Sequence, residues 1–248
     1  MNIFEQLSNN LQESLKSLSI AEPTPVQSEI IPRILAGENV LFQSETGTGK
    51  TFAYLLPLIN KLETLSDNQR VRIIVVAPTF ELASQINTAC KSITKHKSAL
   101  LIGGAPLKRQ MEVLKEKPEI IIGTAARLVE LIRLKKLKTD GIFAIVFDET
   151  DRLVKKEAVE DTSALRDLMP GGTQIVACTA TISRQTKIFF ADAKNIVMPA
   201  EDVLKKRITH WAIYAETRDK IDTLRKLLAA EKPAKALVFT SRADQVEN

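Results

Sequence analysis

Three polar clusters in this 248-residue chain hold side chains that can work together on a nucleotide phosphate. The first is Ser44-Glu45-Thr46-Gly47-Thr48-Gly49-Lys50-Thr51, placed between the apolar run Asn39-Val40-Leu41-Phe42-Gln43 and the helical pattern Phe52-Ala53-Tyr54-Leu55-Leu56. Strand, glycine-containing turn, Lys-Thr and helix is the layout of a phosphate-binding loop. The glycines let backbone N–H groups close around phosphate oxygens, and the following helix adds the positive end of its dipole. Lys50 can reach the outer phosphates, and the Thr51 hydroxyl can hold Mg²⁺. Ser44 departs from the general pattern G-x-x-x-x-G-K-[ST], which has glycine there. The competing reading is a plain strand–helix turn with an exposed lysine.

The second cluster, Asp148-Glu149, follows the apolar run Ile142–Phe147. A strand-end Asp can hold Mg²⁺ across the phosphates, and an adjacent Glu can polarise a water in line with the terminal phosphate. The third cluster is Asp151 with Thr179 and Thr181, whose hydroxyls can hydrogen-bond across neighbouring strand ends. Such a network would link the nucleotide state to another surface; three uncoupled polar caps fit the residues equally well. Upstream, Gln27 stands in Pro23-Thr24-Pro25-Val26-Gln27, a segment stiffened by two prolines. Its amide can donate and accept on one purine edge.

The elements that must position these groups alternate along the chain. Apolar runs at 72–77, 98–102, 119–122, 142–147, 174–178 and 195–198 read as strands, with helical patterns between them. Continuous apolar runs suit strands covered on both faces, so the expectation is an α/β protein with a mostly parallel sheet and helices on both faces. Ligands then collect at the carboxyl ends of the strands. The polar clusters fall there, together with Pro78-Thr79, Gly103-Gly104 and Thr124. Residues 3–18 carry a helical period, and Gln27 is expected to open a helix over 28–35. After a charged connector at 199–207, a strand (208–215), a helix (218–230) and a strand (236–240) are expected. That is too little for an independent α/β domain, so it reads as the cut-off start of a second one.

Bulk composition narrows the class. Hydrophobic content of 44% and charged content of 26% are ordinary for a globular protein, and no apolar run approaches a membrane span. Cys90 and Cys178 lack metal-ligand spacing and read as buried thiols in a reducing cytoplasm. His96 and His210 are too few for a histidine metal site, and His96 is expected to be exposed. The net charge of +5 permits a polyanionic partner without demanding one. The basic clusters at 91–97, 133–138 and 205–207 read first as solvated faces. Aromatic content of 5% argues against base stacking as the main binding mode.

Taken together, Pro23–Gln27, Glu45–Thr51, Pro78-Thr79-Phe80-Glu81-Leu82-Ala83, Gly103-Gly104, Asp148-Glu149-Thr150-Asp151 and Thr179-Ala180-Thr181 resemble the DEAD-box RNA helicase family in order and spacing over residues 4–207. Ser44 falls where that family usually has alanine rather than glycine. The resemblance implies a RecA-like P-loop NTPase fold, with residues 1–207 as the ATP-binding domain and 208–248 as the start of the second RecA-like domain; Val238-Phe239-Thr240-Ser241 resembles the family's motif IV. It implies ATP and Mg²⁺ as cofactors. Thr24 and Gln27 would read adenine, 44–51 would bind phosphates, and Thr51 and Asp148 would hold Mg²⁺, with Lys50, Asp148 and Glu149 catalytic. Pro78, Thr79, Gly104, Thr124 and Arg127 would touch an RNA backbone without reading sequence. Asp151, Thr179 and Thr181 would couple hydrolysis to RNA release.

Departures from that family are expected to matter. Ile20 replaces an aromatic that stacks on adenine, Phe80 an arginine, and Ala125-Ala126 a Pro-Gly pair whose glycine lets backbone approach phosphate. Thr150 replaces the alanine of the name-giving tetrad. The expected activity of the full enzyme is ATP-dependent RNA unwinding; this chain alone is expected to bind nucleotide, hydrolyse it very poorly and unwind nothing, because the family's arginine fingers lie in the second domain. An ATP-clamped RNA-binding module and a DNA-acting ATPase are the alternatives. Apolar Leu237-Val238-Phe239 is expected to seek a partner, including a second copy.

Overall fold

Seven short runs of mostly β-branched and aliphatic residues become strands: β1 (Val40–Gln43), β2 (Ile73–Val76), β3 (Ser98–Leu101), β4 (Ile120–Gly123), β5 (Ala144–Phe147), β6 (Gln174–Thr179) and β7 (Lys194–Val197). The computed structural model describes residues 2–65, 71–199, 209 and 211–239. The sheet order is β3-β4-β2-β5-β6-β1-β7, and every neighbouring pair is parallel. Parallel neighbours require crossovers, and helices supply them. The two-residue period of a strand then sorts the apolar runs of β1 to β6 onto two cores, while the edge strand β7 packs on one face only and exposes Val197. Ile73, Val75, Ile120, Ile122, Val40 and Phe42 enter one core, while Ile74, Val76, Ile121 and Leu41 enter the other.

Helices α1 (Asn9–Ser17), α2 (Pro25–Leu35), α3 (Lys50–Glu63) and α4 (Phe80–Ile93) bring Leu11, Ile30, Leu55 and Ile86 to the first core. Helices α5 (Leu107–Lys115), α6 (Ala125–Arg133), α7 (Thr150–Leu153), α8 (Val159–Asp167) and α9 (Arg184–Phe189) follow. Leu128, Leu153 and Leu165 reach the second core. This is the parallel sheet covered on both faces that the sequence indicates.

Local differences have local causes. The period over 3–18 is split into a 3-10 turn, Ile3–Gln6, and α1, because Ser8 caps α1 through its hydroxyl on Leu11 N–H. Helix α2 starts two residues before Gln27, since Pro25 fits the first helical turn and Thr24 forms a capping box with Gln27. His96 is not merely exposed: its Nδ1 lies 2.8 Å from Glu119 Oε2, and the glutamate is buried.

The chain divides into two compact units, Met1–Glu201 and Asp202–Asn248. In the second, a 3-10 turn (Thr217–Asp219) leads into α10 (Lys220–Glu231), close to the helix expected at 218–230. Neither flanking strand is present among the described residues 209, 211–216 and 232–239. A strand is held by its ladder partners, and none is present among those described residues. Leu237, Val238 and Phe239 are exposed. The connector at 200–207, the basic run 205–207, His210, Thr240 and Ser241 lie outside the described residues.

Candidate nucleotide site and strand-end surface

Sheet geometry delivers the polar clusters to one edge. Loop 44–49 leaves β1, Asp148 leaves β5, and Thr179 ends β6; β1 and β5 both pair with β6. Thr46, Gly47, Gly49, Lys50, Thr51, Asp148, Glu149, Asp151 and Ala180 line one cavity of about 520 Å³, with Arg152 and Gln85 at its margin. A larger hollow of about 1050 Å³ lies at the opposite, amino-terminal ends of β3 and β4. Its lining mixes lysines with glutamates and includes neither glycine loop nor Asp-Glu pair, so size does not mark the site here.

The loop carries its own closure. Ser44 N–H donates to Thr179 O at 3.1 Å, which ties the loop to β6. Ser44 Oγ and Thr48 Oγ1 lie 2.7 Å apart, a hydrogen bond that glycine at 44 cannot make. Gly47 and Gly49 have φ of 84° and 92°, in the left-handed region that favours glycine. Lys50 Nζ donates to the carbonyls of Ser44 at 2.9 Å and Glu45 at 2.6 Å. Those carbonyls hold the ammonium over the loop until a stronger anionic acceptor replaces them.

Gln27 sits behind this loop rather than in the cavity. It is 3% exposed. Its Oε1 accepts from Thr24 N–H at 3.0 Å, and its Nε2 donates to Gly49 O at 3.1 Å. Thr24 and Gln27 thus brace Gly49, a role the sequence reading missed. One amide proton and one oxygen lone pair of Gln27 remain for a base edge. Ile20 is partly buried against the first core.

Asp148 is 4% exposed and enclosed by donors. Its Oδ1 accepts from Glu149 N–H at 2.8 Å and from Cys178 Sγ at 3.0 Å; its Oδ2 accepts from Tyr54 Oη at 2.9 Å. Burial pushes the Tyr54 phenol and the Cys178 thiol well above their ordinary values, and the nearby Asp148 charge adds to this. Tyr54 stands one helical turn after Lys50, so that spacing was the available signal for it. Cys178 is buried and free as expected, but its bond to Asp148 had no sequence signal. Glu149 takes a left-handed conformation, φ 50° and ψ 52°, and its Oε2 accepts from Arg152 Nη1 at 3.0 Å. Oxygen donors from Thr51 and Asp148 match the hard-oxygen preference of Mg²⁺.

The third cluster is wired together. Thr179 Oγ1 donates to Asp151 Oδ1 at 2.7 Å, and Thr181 N–H donates to Thr179 Oγ1 at 3.2 Å. Thr181 joins through its backbone, not its hydroxyl. The Thr150 hydroxyl is buried without a hydrogen-bond partner.

Pro78, Thr79, Gly104, Thr124 and Arg127 lie beyond the carboxyl ends of β2, β3 and β4, outside the cavity. Thr79 caps α4, accepting from Leu82 N–H at 3.3 Å, and Thr124 Oγ1 accepts from Gly103 N–H at 3.4 Å. Gly104 has φ 79°. Arg127 is tucked in: its side chain is 11% exposed, and its Nε pairs with Glu130 at 3.0 Å. Ala125 and Ala126 both lack positive φ. Phe80, in place of arginine, is 50% exposed.

Comparison with known proteins decides the family. The profile of the DEAD/DEAH box helicase family matches residues 24–189. This chain belongs to that family. It is 35% identical over 240 residues to the DEAD-box ATP-dependent RNA helicase CshA of Bacillus cereus, covering 94% of this chain and 45% of the relative. It is 38% identical over 229 residues to CshC of Bacillus cereus, covering 88% and 57%. A crystal structure of a DEAD box protein from the hyperthermophile Methanococcus jannaschii superposes with a TM-score of 0.73 at 25% identity, over 90% of this chain and 61% of that one. The fold is therefore the RecA-like domain of this family. The chain spans about half the length of the curated relatives it matches. Among the described residues, no helix is long and apolar enough to cross a membrane.

Proposed function

We propose that this chain is the nucleotide-binding part of an ATP-dependent RNA helicase. The observation that carries the reading is the convergence of Lys50, Thr51, Asp148 and Glu149 on one cavity at the carboxyl ends of parallel strands. On this reading Thr46 to Thr51 and Ser44-Glu45 cradle the phosphates, while Thr24 and Gln27 carry adenine recognition into the loop through Gly49. Lys50 exchanges two carbonyl acceptors for phosphate oxygens. Thr51 and Asp148 would hold Mg²⁺, which would supply charge neutralisation on the phosphates. Glu149, released from Arg152, accepts a proton from the attacking water.

RNA lies across the strand ends at Pro78, Thr79, Gly104, Thr124 and Arg127, contacted through its backbone. Arg127 reaches a phosphate only after leaving Glu130. Asp151, Thr179 and Thr181 pass the state of the cavity to that surface, since Thr179 ends β6 and its neighbour Cys178 touches Asp148. Residues 1–207 form the first RecA-like domain and 208–248 the beginning of the second. A cytoplasmic place for the protein goes with this reading. Self-association through the exposed apolar tail is part of it as well.

The test has two arms. This chain binds a fluorescent ATP analogue with Mg²⁺, yet turns ATP over far below about one per second with RNA, since an arginine from a second domain supplies a large part of the rate in comparable phosphoryl transfer. RNA-stimulated turnover at about that rate or faster overturns the second point. In a protein carrying a complete second domain, Glu149→Gln keeps nucleotide binding and abolishes RNA-stimulated phosphate release. Equal release by wild type and variant favours a module that only clamps RNA. Stimulation by DNA as strong as by RNA of equal length points to a DNA-acting ATPase.

A further inference from the structure

Asp148 is the most constrained carboxylate of the site, and what constrains it comes from outside the motifs. A carboxylate can only accept, so each of its three neighbours here is a donor. Oδ1 takes two bonds, from Glu149 N–H and Cys178 Sγ, and Oδ2 takes one, from Tyr54 Oη. A carboxylate offers about four lone-pair positions, two on each oxygen. Oδ1 is filled, and Oδ2 keeps one. Tyr54 and Cys178 are both fully buried and come from different elements, α3 and β6. Together with the Glu149 N–H at the start of the helix after β5, they hold the carboxyl group from three sides.

We infer that Tyr54 and Cys178 are positioning residues that fix the rotation of Asp148, so that the one unfilled position on Oδ2 is presented to the magnesium of bound nucleotide. Neither side chain lines the nucleotide cavity; Cys178 acts through Asp148, and Tyr54 acts through Asp148 and also meets the Thr51 side chain. The inference rests on the nucleotide reading above and adds a claim that reading does not need: the Mg²⁺ preference of nucleotide binding depends on two buried donors. Removing one donor lets the carboxylate rotate, and rotation exchanges the filled and unfilled oxygens. It also leaves Asp148 with an unmet acceptor position in a dry pocket, which competes for the metal-facing geometry. Metal-site neighbours of this kind are worth about 10- to 100-fold in metal affinity.

The experiment uses this chain, a fluorescent ADP analogue and a Mg²⁺ titration, comparing wild type with Tyr54→Phe, Cys178→Ala and Cys178→Ser. Tyr54→Phe keeps the ring in the core and deletes only the hydroxyl, and Cys178→Ser keeps a donor. Thermal unfolding of each variant reports folding separately. The expected result is that Mg²⁺-free nucleotide affinity is unchanged in all four proteins. The Mg²⁺ concentration giving half of the metal-dependent gain rises at least about 10-fold in Tyr54→Phe and Cys178→Ala. Cys178→Ser restores most of that loss. If folded Tyr54→Phe and Cys178→Ala titrate with Mg²⁺ like wild type, the inference is wrong while the nucleotide site stands. If wild type binds the analogue with no Mg²⁺ effect, the metal assignment of Asp148 fails and the inference with it. If wild type does not bind the analogue at all, the nucleotide reading itself fails. A loss in Cys178→Ala that Cys178→Ser does not recover assigns the effect to packing and removes Cys178 from the proposal.

Discussion

Gly49 is the joint between the Thr24–Gln27 segment and the phosphate loop, and its replacement can be worked through in numbers. Its backbone lies at φ 92° and ψ 22°, a left-handed conformation that costs alanine about 1–2 kcal/mol. The same strain applies to Gly47 at φ 84°, where an added Cβ meets nothing within 4 Å. At Gly49 the Cβ would lie 2.5 Å from Gln27 Nε2 and 3.2 Å from Thr24 Oγ1. The amide must move, and it then loses its bond to Gly49 O. A buried donor left unpaired costs about 1–3 kcal/mol more. Gly47→Ala should therefore destabilise by about 1–2 kcal/mol and Gly49→Ala by about 2–5 kcal/mol. Urea unfolding followed by far-ultraviolet circular dichroism measures both. The decisive comparison is a double-mutant cycle. In a Gln27→Ala background the clash is absent, so Gly49→Ala should cost only its backbone strain, a coupling of about 1–3 kcal/mol. Equal costs for the two glycine replacements, or a coupling near zero, would refute the bracing role of Gln27. Fluorescent-nucleotide affinity should fall in parallel, because the same movement displaces the carbonyl at the start of α3.

Further expectations follow from other groups. Thr150→Val keeps the shape of a buried side chain and deletes a hydroxyl without a partner, so it should be neutral or stabilising by about 1 kcal/mol in urea unfolding, with nucleotide affinity unchanged. Burial pushes the Cys90 thiol up from 9.0 to about 12. The unfolded chain loses that proton near pH 9 while the folded one keeps it, so the stability it contributes is present below pH 9 and falls as pH rises toward 12. The advantage of wild type over Cys90→Ala should shrink by about 1 kcal/mol between pH 9 and pH 10. In native protein at pH 8 both thiols should resist an aromatic disulfide reagent, and both should react after unfolding. Arg152→Ala should free the Glu149 carboxylate, visible as a changed rate of RNA-stimulated phosphate release by the complete helicase.

Much of this molecule is written in local chemistry. Continuous apolar runs such as Ile73–Val76 announced strands covered on both faces, and all but the edge run at 195–198 do feed two cores. The loop 44–51 and the pair Asp148-Glu149 were legible because phosphate chemistry needs particular residue types at a particular spacing. Their meeting followed from the rule that parallel strands present their carboxyl ends on one edge. Other features had no local trace. The contact of His96 with buried Glu119, 23 positions away, depends on a partner distant in sequence. So does the enclosure of Asp148. Tyr54 shows in sequence only its place one turn after Lys50 and Cys178 looks like an ordinary core residue, and only tertiary packing turns their polar atoms toward one carboxylate. Sequence by itself determined which chemistry this edge of the sheet can do. Tertiary structure decided which oxygen of Asp148 is left to do it, because hydrogen-bond partners are assigned by three-dimensional neighbours, not by order along the chain.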